Sequence, residues 1–125
     1  MQMGEDGPAR PVFVIVLPEI LVAQDLEIMI RDILPDAAVV VARTLDETAA
    51  ILPPGRIVAA VVQQAPARAA ATDMGERLRA DGGRFVMLDP DPSDQLPQGW
   101  ASMPLPFVEE DVAALIRDCV PRSAG

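Results

Sequence analysis

The chain has 125 residues, half of them apolar, and a net charge of −9. That length makes one domain with a core of ordinary size, and that apolar share excludes disorder along the whole chain. With no histidine, one cysteine (Cys119) and no basic stripe, the composition excludes a histidine base, an intrachain disulfide, a cysteine-rich zinc site and nucleic-acid binding through phosphate contacts.

Residues 1–10 hold Gly4, Gly7 and Pro8, carry Glu5 and Asp6, and show neither periodicity nor a signal-peptide pattern; they read as a flexible start. Residues 12–17 form an apolar run of strand length, too short to span a bilayer. From 20 to 34 the spacing is helical: Val22, Leu26, Met29, Ile30 and Ile33 share one face, Gln24, Glu27 and Arg31 the other, and Pro35 ends the segment. Residues 37–42 form a second β-branched run. Thr44 and Glu47 make a capping-box pattern before a short helix over 45–52, which Pro53-Pro54-Gly55 stops. Residues 57–62 form a third strand. An alanine-rich helix follows over 67–81, with Ala71, Met74 and Leu78 inward and Gly82-Gly83 as its stop. Residues 85–88 form a fourth strand. The stretch 89–99 holds three prolines, so any helix in it is short or irregular. A fifth strand covers 100–103. The last helix, 108–120, turns Val108, Val112, Leu115, Ile116 and Cys119 inward and carries Glu109, Glu110 and Asp111 in its first turn, where the helix dipole favours negative charge. Pro121 closes it, and 122–125 read as a flexible end.

Five β-α alternations imply an α/β domain over 11–121: three layers, a doubly wound five-stranded parallel sheet, right-handed crossovers. In such a sheet the site forms at the carboxyl edge of the strands. The residues there are Leu17-Pro18-Glu19, Gln63-Gln64, Asp89-Pro90 and Pro104-Leu105-Pro106-Phe107. They offer little chemistry.

This organisation, with Pro106-Phe107 before an acidic amphipathic helix and Glu19-Ile20-Leu21-Val22-Ala23-Gln24-Asp25-Leu26-Glu27 after the first strand, resembles a bacterial response-regulator receiver domain of the CheY-like family. The resemblance covers about residues 11–120. It implies a flavodoxin-like strand order 2-1-3-4-5 and a cis bond before Pro106. It also implies a phosphorylation site made of two metal-binding acids, an acceptor Asp, a Ser or Thr, and a Lys. The metal and the Lys of such a site neutralise charge developing on the phosphoryl oxygens. Carried over position by position, the acid pair falls on Leu17 and Pro18, with Glu19 beside them. The acceptor falls on Val62, counting back from Pro66, or on Gln63 with one residue deleted. The Ser/Thr position falls on Asp89, the Lys on Leu105 and the switch aromatic on Ser102. None matches its role, so the site is degenerate.

Asp89, Asp91 and Asp94 with Glu19 could offer oxygen ligands to a divalent cation. Pro90 and Pro92 stiffen that loop without fixing a coordination geometry, so a solvated acidic loop is the reading adopted and no metal or other cofactor is expected. Cys119 reads as a buried, inert thiol. Ile28 lies off the inward stripe of the first helix and is a candidate partner contact. Trp100, Leu105 and Phe107, with Pro104 and Pro106, form a second apolar patch that either meets a partner or plugs the emptied site. The expectation is a cytoplasmic signalling module in a two-component-type pathway that is neither phosphorylated nor an enzyme. Its partner would be a histidine kinase, a phosphotransferase, an output protein or a second copy, with no nucleic acid and no membrane. The alternative is a small-ligand sensor or cryptic enzyme with its pocket at the carboxyl ends of strands one and three, lined by Glu19, Gln63, Gln64 and Asp89.

Overall fold

A computed structural model describes residues 10–48, 50–63, 68–69, 71–91 and 95–120. The two segments read as flexible ends fall outside these, Arg10 excepted. The elements run β1 (Pro11–Val16), α1 (Ile20–Ile33), β2 (Ala38–Ala42), α2 (Leu45–Thr48), β3 (Arg56–Val62), α3 (Asp73–Ala80), β4 (Arg84–Leu88), β5 (Ala101–Met103) and α4 (Glu109–Cys119). The sheet is all parallel, in the order β2-β1-β3-β4-β5. That is the order 2-1-3-4-5, with four full helices among the described residues where a full alternation would have five. Between β4 and β5 the described residues form no helix, as the prolines of that stretch require.

The sheet is covered on both sides. Phe13, Ile15, Val61, Val86 and Leu88 point to one face, where Leu26 and Ile30 of α1 and Val112, Leu115 and Ile116 of α4 pack on them. Val12, Val14, Ala60, Val62 and Phe85 point to the other, under Leu45 of α2 and Met74 and Leu78 of α3. Each large side chain buried this way contributes about 1.5–3 kcal/mol. The β1–β3 register slips between Val12 and Phe13, which pair with Ile57 and Ala59. Val58 is the extra residue, and it joins Ala59 on the first face.

Several elements differ from the sequence reading. The 67–81 helix is two pieces: residues 68–69 are helical, and α3 proper starts at Asp73. Thr72 divides them. Its hydroxyl donates to the Ala69 carbonyl (2.7 Å) and accepts from the Gly75 N–H (3.0 Å), so it is an N-cap in extended backbone. Ala71, expected inward, is therefore exposed. The α3 stop is as read. Gly82 sits at φ +75, which an L side chain resists, and the Gly83 N–H returns to the Leu78 carbonyl at 2.9 Å. A Cβ on Gly83 would fall 2.4 Å from the Ile57 carbonyl oxygen. α2 begins as expected, with the Glu47 N–H on the Thr44 hydroxyl (3.2 Å), and ends earlier than 52. Tight turns close it, Ile51 N–H to Thr48 carbonyl at 3.0 Å, ahead of two prolines that cannot donate. Val108, read as inward, is exposed: it is the extended residue ahead of α4, outside the helical period. Trp100 precedes β5 and stacks on Phe85, ring centroids 4.5 Å apart. Among the described residues no helix is long and apolar enough to cross a membrane.

Candidate functional site

The register fixes the carboxyl edge. Val16 pairs with both Ala42 and Val62, Val62 with Met87, and Leu88 with Met103. Leu17, Gln63, Asp89 and Pro104 thus leave the sheet side by side, and α1 and α4 both start from this edge.

Leu17 is 2% exposed and belongs to the core under α1 and α4. Where a metal-binding acid would stand, an apolar side chain is packed away from solvent. Pro18 and Glu19 are exposed. Glu19 is the extended residue ahead of α1; its carbonyl accepts from the Ala23 N–H at 3.1 Å, and its carboxylate caps nothing. Val62 is fully buried on the opposite face, under α2 and α3. Gln63 is exposed, and Gln64 lies outside the described residues. Neither Val62 nor Gln63 has the carboxylate that an acyl phosphate requires.

Asp89 holds φ +53, in the left-handed region, and its N–H donates to the Met103 carbonyl at 2.7 Å. This bond ties the ends of β4 and β5 together and leaves the Asp89 carboxylate exposed. Leu105, where the resemblance places the lysine, is 38% exposed. The Leu105–Pro106 peptide bond is cis, as the resemblance implied. Phe107 is half-buried against the core of the α1/α4 face.

Among the described residues the edge gathers no phosphoryl-binding set. Among the described residues no three acids gather as a metal site; Asp94 falls outside them. Its open cleft also differs in place from the expected pocket. A cavity of 310 Å³ opens between the ends of β1 and β2, lined by Leu17, Pro18, Ile20, Val41, Arg43 and Glu47 among others. Glu19, Gln63 and Asp89 do not line it.

The expected apolar contacts separate. Ile28 is exposed at 58%, on the outer side of α1. Trp100 stands at the amino end of β5 and packs with the α2/α3 face. Leu105 and Phe107 stand at the carboxyl end, and Phe107 packs toward the α1/α4 face. They are two surfaces. The sequence reading missed Leu21, exposed at 72%, together with Ile20 and Val108. Because α1 and α4 pack side by side and both begin here, Ile20, Leu21, Leu105 and Val108 share this edge. Glu19, Asp89, Glu109 and Glu110 surround them, all exposed. The signal for Leu21 was present in the sequence: it precedes Ile28 by seven residues on the same outer stripe.

The fold has counterparts of known structure. The response regulator StyR matches with a TM-score of 0.62 at 18% identity, over 90% of this chain and 60% of StyR. SdrG from Sphingomonas melonis Fr1 matches with a TM-score of 0.61 at 22% identity, over 91% of this chain and 98% of SdrG. This chain has a receiver fold. This chain spans three-fifths of StyR and nearly all of SdrG. No protein-family model and no curated protein matches the sequence.

Proposed function

We propose that the chain is a receiver-like signalling module of a two-component-type pathway that works by protein–protein contact and is not phosphorylated. The observation that carries this is the replacement of both charged ends of the site by leucine: Leu17 buried in the acid position, Leu105 half-open in the lysine position. Acyl phosphate formation needs a carboxylate nucleophile at the end of β3 and cations on the phosphoryl oxygens; the described residues at that strand end are Val62 and Gln63, and leucine stands in the lysine position. Catalysis has no part in the proposed role. A cytoplasmic setting follows from that role.

What the edge does supply is an exposed apolar group, Ile20, Leu21, Leu105 and Val108, within a rim of carboxylates. Apolar anchors in a charged rim are the anatomy of a contact surface, with the rim setting partner choice and encounter rate. The rim selects a partner with basic residues around an apolar stripe. A histidine kinase, a phosphotransferase or an output protein with such a face fits the pathway; a second copy of this chain brings a like-charged rim and fits less well. The acidic rim equally disfavours nucleic acid and anionic membrane.

Titration calorimetry against the kinases and phosphotransferases of the source organism tests the reading, with wild type beside Leu21→Glu and Leu105→Glu. Both side chains are exposed, so the variants fold. One partner is expected to bind, with Kd raised about tenfold or more in each variant, the loss of one apolar anchor. A partner whose affinity ignores both substitutions would contradict this surface.

A further inference from the structure

The opposite edge of the sheet has a different character. The chain's ten basic residues are all arginine, against 19 acids. Five of them gather at the amino edge: Arg10 before β1, Arg56 opening β3, Arg77 and Arg79 in the last turns of α3, and Arg84 opening β4. The acid at this turn, Asp81, is already committed. Its carboxylate accepts from the Ile57 N–H at 3.0 Å and from Arg77 Nε at 3.2 Å, and its carbonyl accepts from Arg56 Nε at 2.6 Å. Arg79 makes no ion pair among the described residues, whereas Arg31 and Arg77 each hold a carboxylate four residues away.

Beside Arg79 lies a cavity of 380 Å³, within the range of about 300–1,000 Å³ that encloses small ligands. It lies beside α3, next to the stretch between β4 and β5 whose described residues form no helix. Leu78 and the Phe85–Trp100 stack make its apolar wall, and Gln98 stands on the far side. Gly82 forms part of the rim, with the Arg56 guanidinium next to it: a Cβ there would lie 3.0 Å from Arg56 Nη2. Arg79 and Arg84 line the cavity, and Arg56 stands at its rim beside Gly82, so these are the cations it has to offer.

The geometry points to a binding site here for a small molecule that joins a planar ring to a compact anion, at the size of a nucleoside monophosphate. The ring lies against the Phe85–Trp100 wall, the anion meets Arg79 with Arg84 and the rim residue Arg56 beside it, and the Gln98 amide is placed to hydrogen-bond a polar ring edge. Guanidinium groups suit phosphate and carboxylate oxygens through paired N–H donors. The site is separate from the carboxyl edge and stands whether or not that edge docks a protein.

Trp100 is the chain's single tryptophan, so its fluorescence reports on this cavity alone. The intact chain is titrated with AMP, adenosine, inorganic phosphate and benzoate, which separate ring from anion and phosphate from carboxylate. Saturable quenching by AMP or benzoate is expected, with adenosine and phosphate each much weaker. Arg79→Glu, on an exposed side chain, is expected to raise Kd at least about tenfold, the loss of a charged hydrogen bond. Arg31→Glu, on α1, is expected to leave it unchanged. Absence of saturable quenching at millimolar ligand, adenosine binding as well as AMP, or an Arg79→Glu variant with wild-type affinity would each overturn the assignment.

Discussion

Asp89 keeps a backbone conformation that most side chains resist, φ +53, while its N–H holds the end of β5 at 2.7 Å. Left-handed backbone costs an ordinary L residue about 1–2 kcal/mol, less for Asp, and glycine pays no such steric cost. Asp89→Gly is therefore expected to raise the urea midpoint, by up to about 1 kcal/mol, and Asp89→Val to lower it by about 1–2 kcal/mol. Equal midpoints for the two variants would contradict that geometry. At Cys119, burial pushes the thiol above its ordinary value of 9.0; Arg84 pulls it part of the way down and Asp118 adds to the rise. The thiolate is the nucleophile, so alkylation of the folded protein at neutral pH is expected to be slower than that of free cysteine. The sign for stability follows from proton binding. Above 9.0 the unfolded chain gives up a proton that the native thiol keeps. Stability from this group is thus complete below that value and is lost as pH climbs through the higher native value. Denaturant midpoints of wild type and Cys119→Ala should diverge above pH 9 and run parallel below it; parallel curves throughout would remove this linkage.

Among the elements, α3 depends most on one side chain. The Thr72 hydroxyl both ends the turn behind it and caps the helix ahead. Thr72→Ala is expected to cost about 1 kcal/mol, read as a lower urea midpoint, and Thr72→Ser to restore most of it. A Thr72→Ala variant as stable as wild type would contradict the cap. This boundary was legible in principle, since Thr72 precedes Asp73 and Glu76, an N-terminal signature. The alanines at 67, 69, 70 and 71 concealed it, because alanine suits a helix anywhere and marks no end. Strands were easier: β1 and β3 are buried on both faces and β2, at the sheet edge, is half-buried, and all three read as continuous apolar segments. Val108 went astray for the converse reason. A residue in helical phase is inward only if it is in the helix, and periodicity cannot see that the chain there is still extended.

At the scale of the molecule, the β-α alternation was enough for the layers, and the resemblance for the strand order. The residue types at the carboxyl edge were legible too, because each strand end is marked by a proline or a polar residue. Which of those residues face solvent was not. Leu17 and Val62 point to opposite faces of the sheet, and the open cleft lies between β1 and β2, consequences of register and burial that sequence spacing does not carry. The same holds at the amino edge, where Arg56 and Asp81 are 25 positions apart in sequence and meet at the turn beyond α3. The account of the carboxyl edge rests on chemistry that is absent from it, and that absence can be weighed. Intact-mass measurement of the pure chain after incubation with Mg²⁺ and acetyl phosphate is expected to return the unmodified mass throughout. A stoichiometric, Mg²⁺-dependent phosphoryl adduct would contradict the central claim.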